Sequence, residues 1–507
     1  MHKRTRGARS VALAALMGLG LLLFCALTGL MVAVMPPGVL VRLLIAPLAL
    51  FALVLLWVVP KRATTPDGLH NLLLATLIVL INIWPAYIVH RFGGLPYINP
   101  TKLAWLALLG VVGVNLFSSK PAMARLVARC KAHPLLIGGV VFLFGWRVVS
   151  AASGVQPVAQ VVSMASEVIG CYAIFFIALA VLRDERDVFR LLKVLVAVAM
   201  VQALLASYES VVKHTLFDKF VVLSSEDAAT MVDTLREKFR NGHYRAQGTF
   251  EHPMVLAEFM AMSAPLALVL FLSRQTSGWR WTAAAFLPVA LVVIVSSRSR
   301  VGIAVLLAAV LLVGGLMLLP RGRRQGSSLS LVLTMFLLPV LMVGAYFALN
   351  EMISLAAGRS VSEANSSLAR VLMMERGIPL LKASPLVGYG YGMGAVKLGF
   401  FDGARFNIDN YLLGVALDSG LPGLFAFVGV FIGATFMGVQ CYRRRDDRGG
   451  LAAGFIAVSI VVLLGCKTVL SIASGFTLGY ILIAAIIVLL EPAAGAAEPA
   501  AARAVAA

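Results

Sequence analysis

Charge is scarce in this chain. Asp, Glu, Lys and Arg together make up 13% of 507 residues, against 60% hydrophobic, and mean hydropathy is +0.94. That balance excludes a soluble globular domain and points to a polytopic membrane protein. Acidic groups are the scarcer kind, 23 against 43 Lys and Arg, which leaves a net charge of +20. The excess is no nucleic-acid footprint, because the basic residues sit in short clusters between apolar runs, where membrane orientation requires them.

Other absences narrow the chemistry. The five cysteines, Cys25, Cys130, Cys171, Cys441 and Cys466, have no paired spacing and lie in or beside apolar runs, so neither a zinc site nor a disulfide framework is expected. There is no Walker A glycine loop, no paired-cysteine redox motif, no nucleophile elbow and no short-period repeat. His243 and His252 stand nine residues apart with only Glu251 nearby, a poor basis for a metal site.

What is abundant is apolar sequence. With about 20 residues per span, runs near 10–34, 38–59, 70–90, 103–117, 135–151, 158–182, 188–209, 254–273, 281–296, 301–319, 329–349, 411–440, 451–466 and 470–490 predict an all-α fold. We expect about 12–14 transmembrane helices in one membrane domain over residues 1–490, and a disordered, Ala-rich tail at 491–507. The first run follows Lys3, Arg4, Arg6 and Arg9 and is too long for a cleaved signal, so it reads as a retained span. Basic loops recur at every second connection: Lys61-Arg62, Lys120 to Lys131, Arg183 to Arg190, Arg274 with Arg280, Arg321 to Arg324, and Arg443 to Arg448. These loops are expected to be cytoplasmic, together with both termini. The alternate loops then face outward, including the segment 210–253 and a large loop at 350–410 between the eleventh and twelfth spans.

Several arginines break that rule. Ser297-Arg298-Ser299-Arg300 joins two spans on the outer side with almost no loop, so both guanidinium groups either snorkel to lipid phosphates or form an anion site. Arg245 lies in Tyr244-Arg245-Ala246-Gln247-Gly248-Thr249-Phe250-Glu251-His252-Pro253, docked at the mouth of the next span between turn-forming glycines and a proline. Arg147, beside Trp146, falls inside a span near its outer end, either as an interfacial anchor or as a functional group. In the large loop are Arg370, Glu375 and Arg376, then Gly388-Tyr389-Gly390-Tyr391-Gly392-Met393-Gly394, then Asp409-Asn410-Tyr411 at the edge of the twelfth span. The alternating glycines permit close backbone approach or simply a flexible turn, while Tyr389 and Tyr391 offer flat faces for sugar rings.

Convergent outer arginines and a carboxylate suit a reaction with an anionic, lipid-linked leaving group. Guanidinium groups can neutralise a departing diphosphate without a metal, and a base must take the proton of the attacking hydroxyl. Asp409 and Glu375 are the candidate bases. Asp409 is the better placed, since it immediately precedes a span.

In this order, the segment around Arg245, the Ser-Arg-Ser-Arg junction, Pro385 with Gly388-Tyr389-Gly390, and Asp409-Asn410-Tyr411-Leu412 followed by Gly420-Leu421-Pro422-Gly423 resemble the O-antigen ligase and Wzy-type polymerase superfamily over about residues 240–440. The resemblance implies an inner-membrane, metal-independent, inverting glycosyltransferase without a cofactor. It would act on undecaprenyl-diphosphate-linked saccharides at the periplasmic face and transfer to a glycan acceptor. Arg245 with Arg298 or Arg300 would bind the diphosphate, and Arg147 and Arg370 are further candidates. Ligases of the family commonly carry histidine where this chain has Asp409, which favours the exopolysaccharide polymerase branch, whose implied partners include chain-length or export proteins. The alternatives are a ligase with a lipid or protein acceptor, and a flippase of lipid-linked saccharide. A flippase should carry polar groups or broken helices near midplane across several spans.

Overall fold

A computed structural model describes residues 67–85, 88, 99–220, 238–240, 242–273, 275–319, 321, 361–401 and 406–491. The spans expected at 10–34, 38–59 and 329–349, both termini, and the acidic run from Glu226 to Glu237 lie outside these residues. The described chain is helical throughout, apart from one small hairpin: α1 Asp67–Ile83, α2 Pro100–Ser118, α3 Lys120–Ala132, α4 Pro134–Ser153, α5 Pro157–Val181 and α6 Glu185–Val212, then β1 Phe239–Arg240 and β2 His243–Tyr244, then α7 Pro253–Leu272, α8 Ser277–Ser296, α9 Arg300–Leu318, α10 Val361–Ala383, α11 Met393–Leu398, α12 Tyr411–Arg444, α13 Arg448–Lys467 and α14 Phe476–Leu490. Among the described residues nine helices are long and apolar enough to cross a membrane, with α1 and α14 shorter apolar helices beside them. This is an all-α polytopic membrane protein. Each of the eleven corresponds to a run seen in the sequence, because continuous hydropathy over a bilayer's thickness leaves the backbone no partner except itself.

Two features were not anticipated. The basic connection at 120–132 is itself a helix, α3, capped by Ser119, whose side chain accepts from the Ala122 amide. And α5 contains a π turn, Val168–Ala173, directly after Glu167.

The interior of the bundle is α7, α13 and α14, almost wholly buried, with α12 and α4 on one side and α8, α9 and α6 on the other. Apolar side chains such as Trp281, Leu291, Val292, Phe425 and Phe436 point outward, as lipid-facing residues do. Since lipid gives helices no hydrophobic reason to associate, small residues at contacts matter. A Cβ on Gly438 of α12 would stand 2.8 Å from the Ala453 carbonyl of α13.

The basic loops gather at one end. Arg129 donates to the carbonyls of Leu179, Leu182 and Arg183 and pairs with Glu491 at 2.8 Å. Arg445 and Arg448 both hold Glu185, at 3.1 and 2.5 Å, and Arg321 donates to the Asp447 carbonyl. Helix α6 begins at this end with Glu185 and finishes, 28 residues later and roughly 40 Å away, with Glu209 under the Arg245 segment. The arginines expected on the outer side therefore occupy the opposite end from the basic loops.

Candidate functional site

The Arg245 segment is built on a buried carboxylate. Glu209 accepts from the Tyr244 hydroxyl at 2.6 Å and from the amides of Gln247 and Gly248. Gln202 donates to Thr249 and to the Asn82 carbonyl, and Thr249 donates to the same carbonyl at 2.9 Å. So fastened, the strap brings Arg245, 6% exposed, against the α8–α9 turn, where its Nε donates to the Ser297 carbonyl at 2.9 Å. Glu209→Ala strands three donors and is expected to cost about 3 kcal/mol. A thermal midpoint of the purified variant equal to that of the wild type would show that the strap does not depend on it.

The turn itself exposes Arg298 in the left-handed region, φ +50°, an uncommon conformation for a side chain of this size. Ser299 caps α9 by accepting from the Gly302 amide at 3.1 Å, and Arg300 is the first helical residue. A cation at a helix N-terminus opposes the helix dipole, whereas an anion placed there is favoured by both.

Across from this turn, α10 supplies Arg370, whose Nη2 stands 3.6 Å from Asp409 Oδ2, both groups half-buried. Burial pushes the Arg370 guanidinium below its usual range; Asp409 draws it up and Arg300 pushes it down again. Asp409 also accepts from Asn407 Nδ2 at 2.9 Å, and Asn407 in turn accepts from the Ser471 hydroxyl at 3.3 Å. Asn410 caps α12 by accepting from the Leu413 amide. Arg245, Arg300, Arg370 and Asp409 are thus linked through neighbouring contacts, with Arg298 on the exposed turn beside them.

The glycine-rich stretch has a specific task. Helix α12 is broken at Gly420, φ +69° and ψ −174°, and Pro422 has no amide to offer the Asp418 carbonyl four residues earlier. The groups left over are taken by neighbours. The Tyr389 amide donates to the Leu417 carbonyl at 2.8 Å, the Gly390 amide to the Asp418 carbonyl at 3.0 Å, and the Leu421 amide to the Pro385 carbonyl at 2.7 Å. Trp146 Nε1 serves the Ser419 carbonyl. Close approach, not flexibility, is the reason for glycine here: a Cβ on Gly388 would lie 2.5 Å from the Asp418 carbonyl oxygen.

Beside this break lies a cavity of about 400 Å³ lined by Arg147, Glu167, Tyr391, Asn407, Tyr411 and Asp418, among others. Arg147 pairs with Glu167 at 3.0 Å and stacks over the Tyr391 ring at 5.1 Å. Asp418 is held by the amides of Gly392 and Gly394 at 3.0 and 2.8 Å.

The remaining sequence candidates are placed differently. Glu375 is exposed on α10. Tyr389 donates its hydroxyl to the Leu380 carbonyl and packs beside Met373, Leu398 and Leu413, whereas Tyr391 lines the cavity. His252 is a helix cap, its Nδ1 accepting from the Met254 amide. Among the described residues, no group of three or more His, Cys, Asp or Glu side chains is arranged to hold a metal ion. Sequence reasoning passed over Glu167, Glu209 and Asp418, although an ionisable residue within an apolar run is itself a signal.

The α8–α9 turn, α10, the glycine-rich plug and the broken start of α12 all fall within residues 283–428, which match the family model described as O-antigen ligase. This chain carries an O-antigen ligase domain. No curated protein matches the chain. At family level, the match and the apolar helices support a membrane-integral protein of the O-antigen ligase/polymerase type. Arg147, Glu167, Arg245 and Ser471 lie outside the O-antigen ligase domain yet contact it or help form its cavity.

Proposed function

We propose that this protein is a polysaccharide polymerase of the bacterial inner membrane. It joins undecaprenyl-diphosphate-linked repeat units at the periplasmic end of the bundle, without a metal, with inversion at the anomeric carbon. The observation that carries the reading is the gathering of cations at one end of the bundle: Arg245 against Ser297, Arg298 and Arg300 on the same turn, and Arg370 within the field of Arg300 and paired with Asp409. An excess of that kind suits a polyanion, and a diphosphate leaving group carries the charge that these groups would neutralise.

In this scheme a hydroxyl of the acceptor glycan attacks the anomeric carbon of the donor sugar. The new carbon–oxygen bond forms as the bond to the lipid diphosphate breaks, the diphosphate leaves as an anion among the arginines, and the hydroxyl proton passes to Asp409. Asn407 orients that carboxylate through its 2.9 Å contact.

Asp409→Asn should slow turnover by about a hundredfold or more, with donor binding retained. The assay is purified protein incubated with a defined undecaprenyl-diphosphate oligosaccharide, followed by product sizing. Normal yield and chain length in the variant would remove Asp409 from the mechanism. Transfer to a lipid or protein acceptor without growth of the glycan would identify a ligase. In cells, repeat units trapped on the cytoplasmic side would identify a flippase.

A further inference from the structure

The proposal that Arg147 joins the diphosphate-binding arginines meets an electrostatic objection. Among the described residues, Arg245, Arg298, Arg300 and Arg370 gather at the outer cluster with one carboxylate, Asp409, paired to Arg370. In the cavity behind it the ratio is reversed: Arg147 is accompanied by the carboxyl groups of Glu167, Asp418 and Glu251. A diphosphate entering there would meet more negative charge than positive, and the one guanidinium is already paired.

Nevertheless the cavity is built to receive something. Arg147 is 4% exposed, and its Nε and Nη1 have no hydrogen-bond acceptor among the described residues. Two buried donors without acceptors are costly unless a ligand serves them. Around them are fixed acceptors: Glu167, held by Arg147 and by the Tyr172 hydroxyl at 3.0 Å, and Asp418, held by two backbone amides. Tyr391, Tyr411 and Phe406 provide aromatic surface, and the volume, about 400 Å³, lies within the range of small-molecule pockets. Donors, acceptors and rings in one chamber match a saccharide, whose hydroxyls both give and take hydrogen bonds and whose C–H faces stack on aromatics.

We propose that this cavity is the acceptor subsite and that it selects an uncharged saccharide, with Arg147 donating to sugar oxygens, and Glu167 and Asp418 accepting from sugar hydroxyls. Asn407 joins the two regions, since it lines the cavity and donates to Asp409. The acceptor hydroxyl is thereby led toward Asp409 from the side away from the arginines. Sugars bearing carboxylates are disfavoured by the three carboxyl groups of the lining. The inference rests on the reading of the arginine cluster as the leaving-group site, and the two are separable by experiment.

Equilibrium binding is measured on full-length protein in nanodiscs with two kinds of probe: inorganic diphosphate, and oligosaccharides cut from the surface polysaccharide of the cells that carry this protein, fractionated by charge. Arg147→Gln and Asp418→Asn should each weaken binding of the neutral fraction about tenfold or more while changing diphosphate binding by less than about twofold. Arg300→Ala should do the reverse. Acidic fractions should bind about tenfold more weakly than neutral ones, and chemical reduction of their carboxyl groups should restore binding. Should Arg147→Gln fail to fold, Tyr391→Ala, in a loop outside the spans, provides the same readout. The inference is overturned if Arg147→Gln costs diphosphate binding as much as Arg300→Ala does. It is equally overturned if wild-type protein binds no neutral fraction at millimolar concentration, or binds it regardless of these variants. Loss of the Arg300 effect alone, with the saccharide results intact, would sink the leaving-group reading and leave the subsite standing.

Discussion

Arg300→Ala is expected to lower polymer formation by about a thousandfold or more, while lipid-linked single repeats accumulate at the outer face. The size of the effect follows from where the residue sits. Arg300 is the first residue of α9, so a leaving diphosphate beside it is served by the guanidinium and by the helix N-terminus together. Its charge is felt at Arg370, which burial and Arg300 push down and Asp409 draws up, so the two cations lie within each other's field. Their mutual repulsion is relieved when the diphosphate binds, and relieved further as charge develops on it in the transition state. Arg300→Lys should recover only part of the activity, because an ammonium lacks the planar fork that matches two phosphate oxygens. Product sizing with a defined undecaprenyl-diphosphate oligosaccharide reads the result. Wild-type polymer from Arg300→Ala would exclude the arginine cluster from the reaction.

Gly420→Ala is expected to be the most damaging single-methyl change in the described chain, destabilising by about 4 kcal/mol and abolishing activity with it. Two costs combine. A backbone at φ +69° and ψ −174° is open essentially to glycine alone and costs a side chain about 1–3 kcal/mol, and the new Cβ would run into the Leu386 carbonyl oxygen. To escape that contact the loop must retreat, giving up the Tyr389, Gly390 and Leu421 hydrogen bonds at about 1 kcal/mol each. Thermal unfolding of purified protein and limited proteolysis around Pro385 report the two consequences. An unchanged midpoint with an uncleaved loop would mean that the break in α12 tolerates rearrangement.

The spans were legible in the sequence because hydropathy over a bilayer's thickness is a local property, and Leu, Val and Ile need no partner in the chain to declare it. That the arginine motifs lie at the end opposite the basic loops was legible for the same reason. What could not be read was pairing across distance. Arg370 and Asp409 are separated by the whole glycine-rich stretch, and Arg147 meets Glu167 only because α4 and α5 lie side by side. The break at Gly420 was hidden differently. Gly420-Leu421-Pro422-Gly423 stands out as a motif, but an apolar run conceals a broken backbone when the missing hydrogen bonds are supplied from elsewhere. The carboxylates Glu167, Glu209 and Asp418 carry the same signal as Arg147, an ionisable group within an apolar run.

The plug in α12 has a consequence for how the molecule opens. The Tyr389 and Gly390 amides are bonded to carbonyls inside a helix that itself packs against α4 and α13. Releasing them strands buried carbonyls of α12, so this part of the loop opens only at the expense of the helix it plugs. The loop and the membrane helix form one cooperative unit, and Asp418, Asp409 and the cavity between them inherit the rigidity of the bundle.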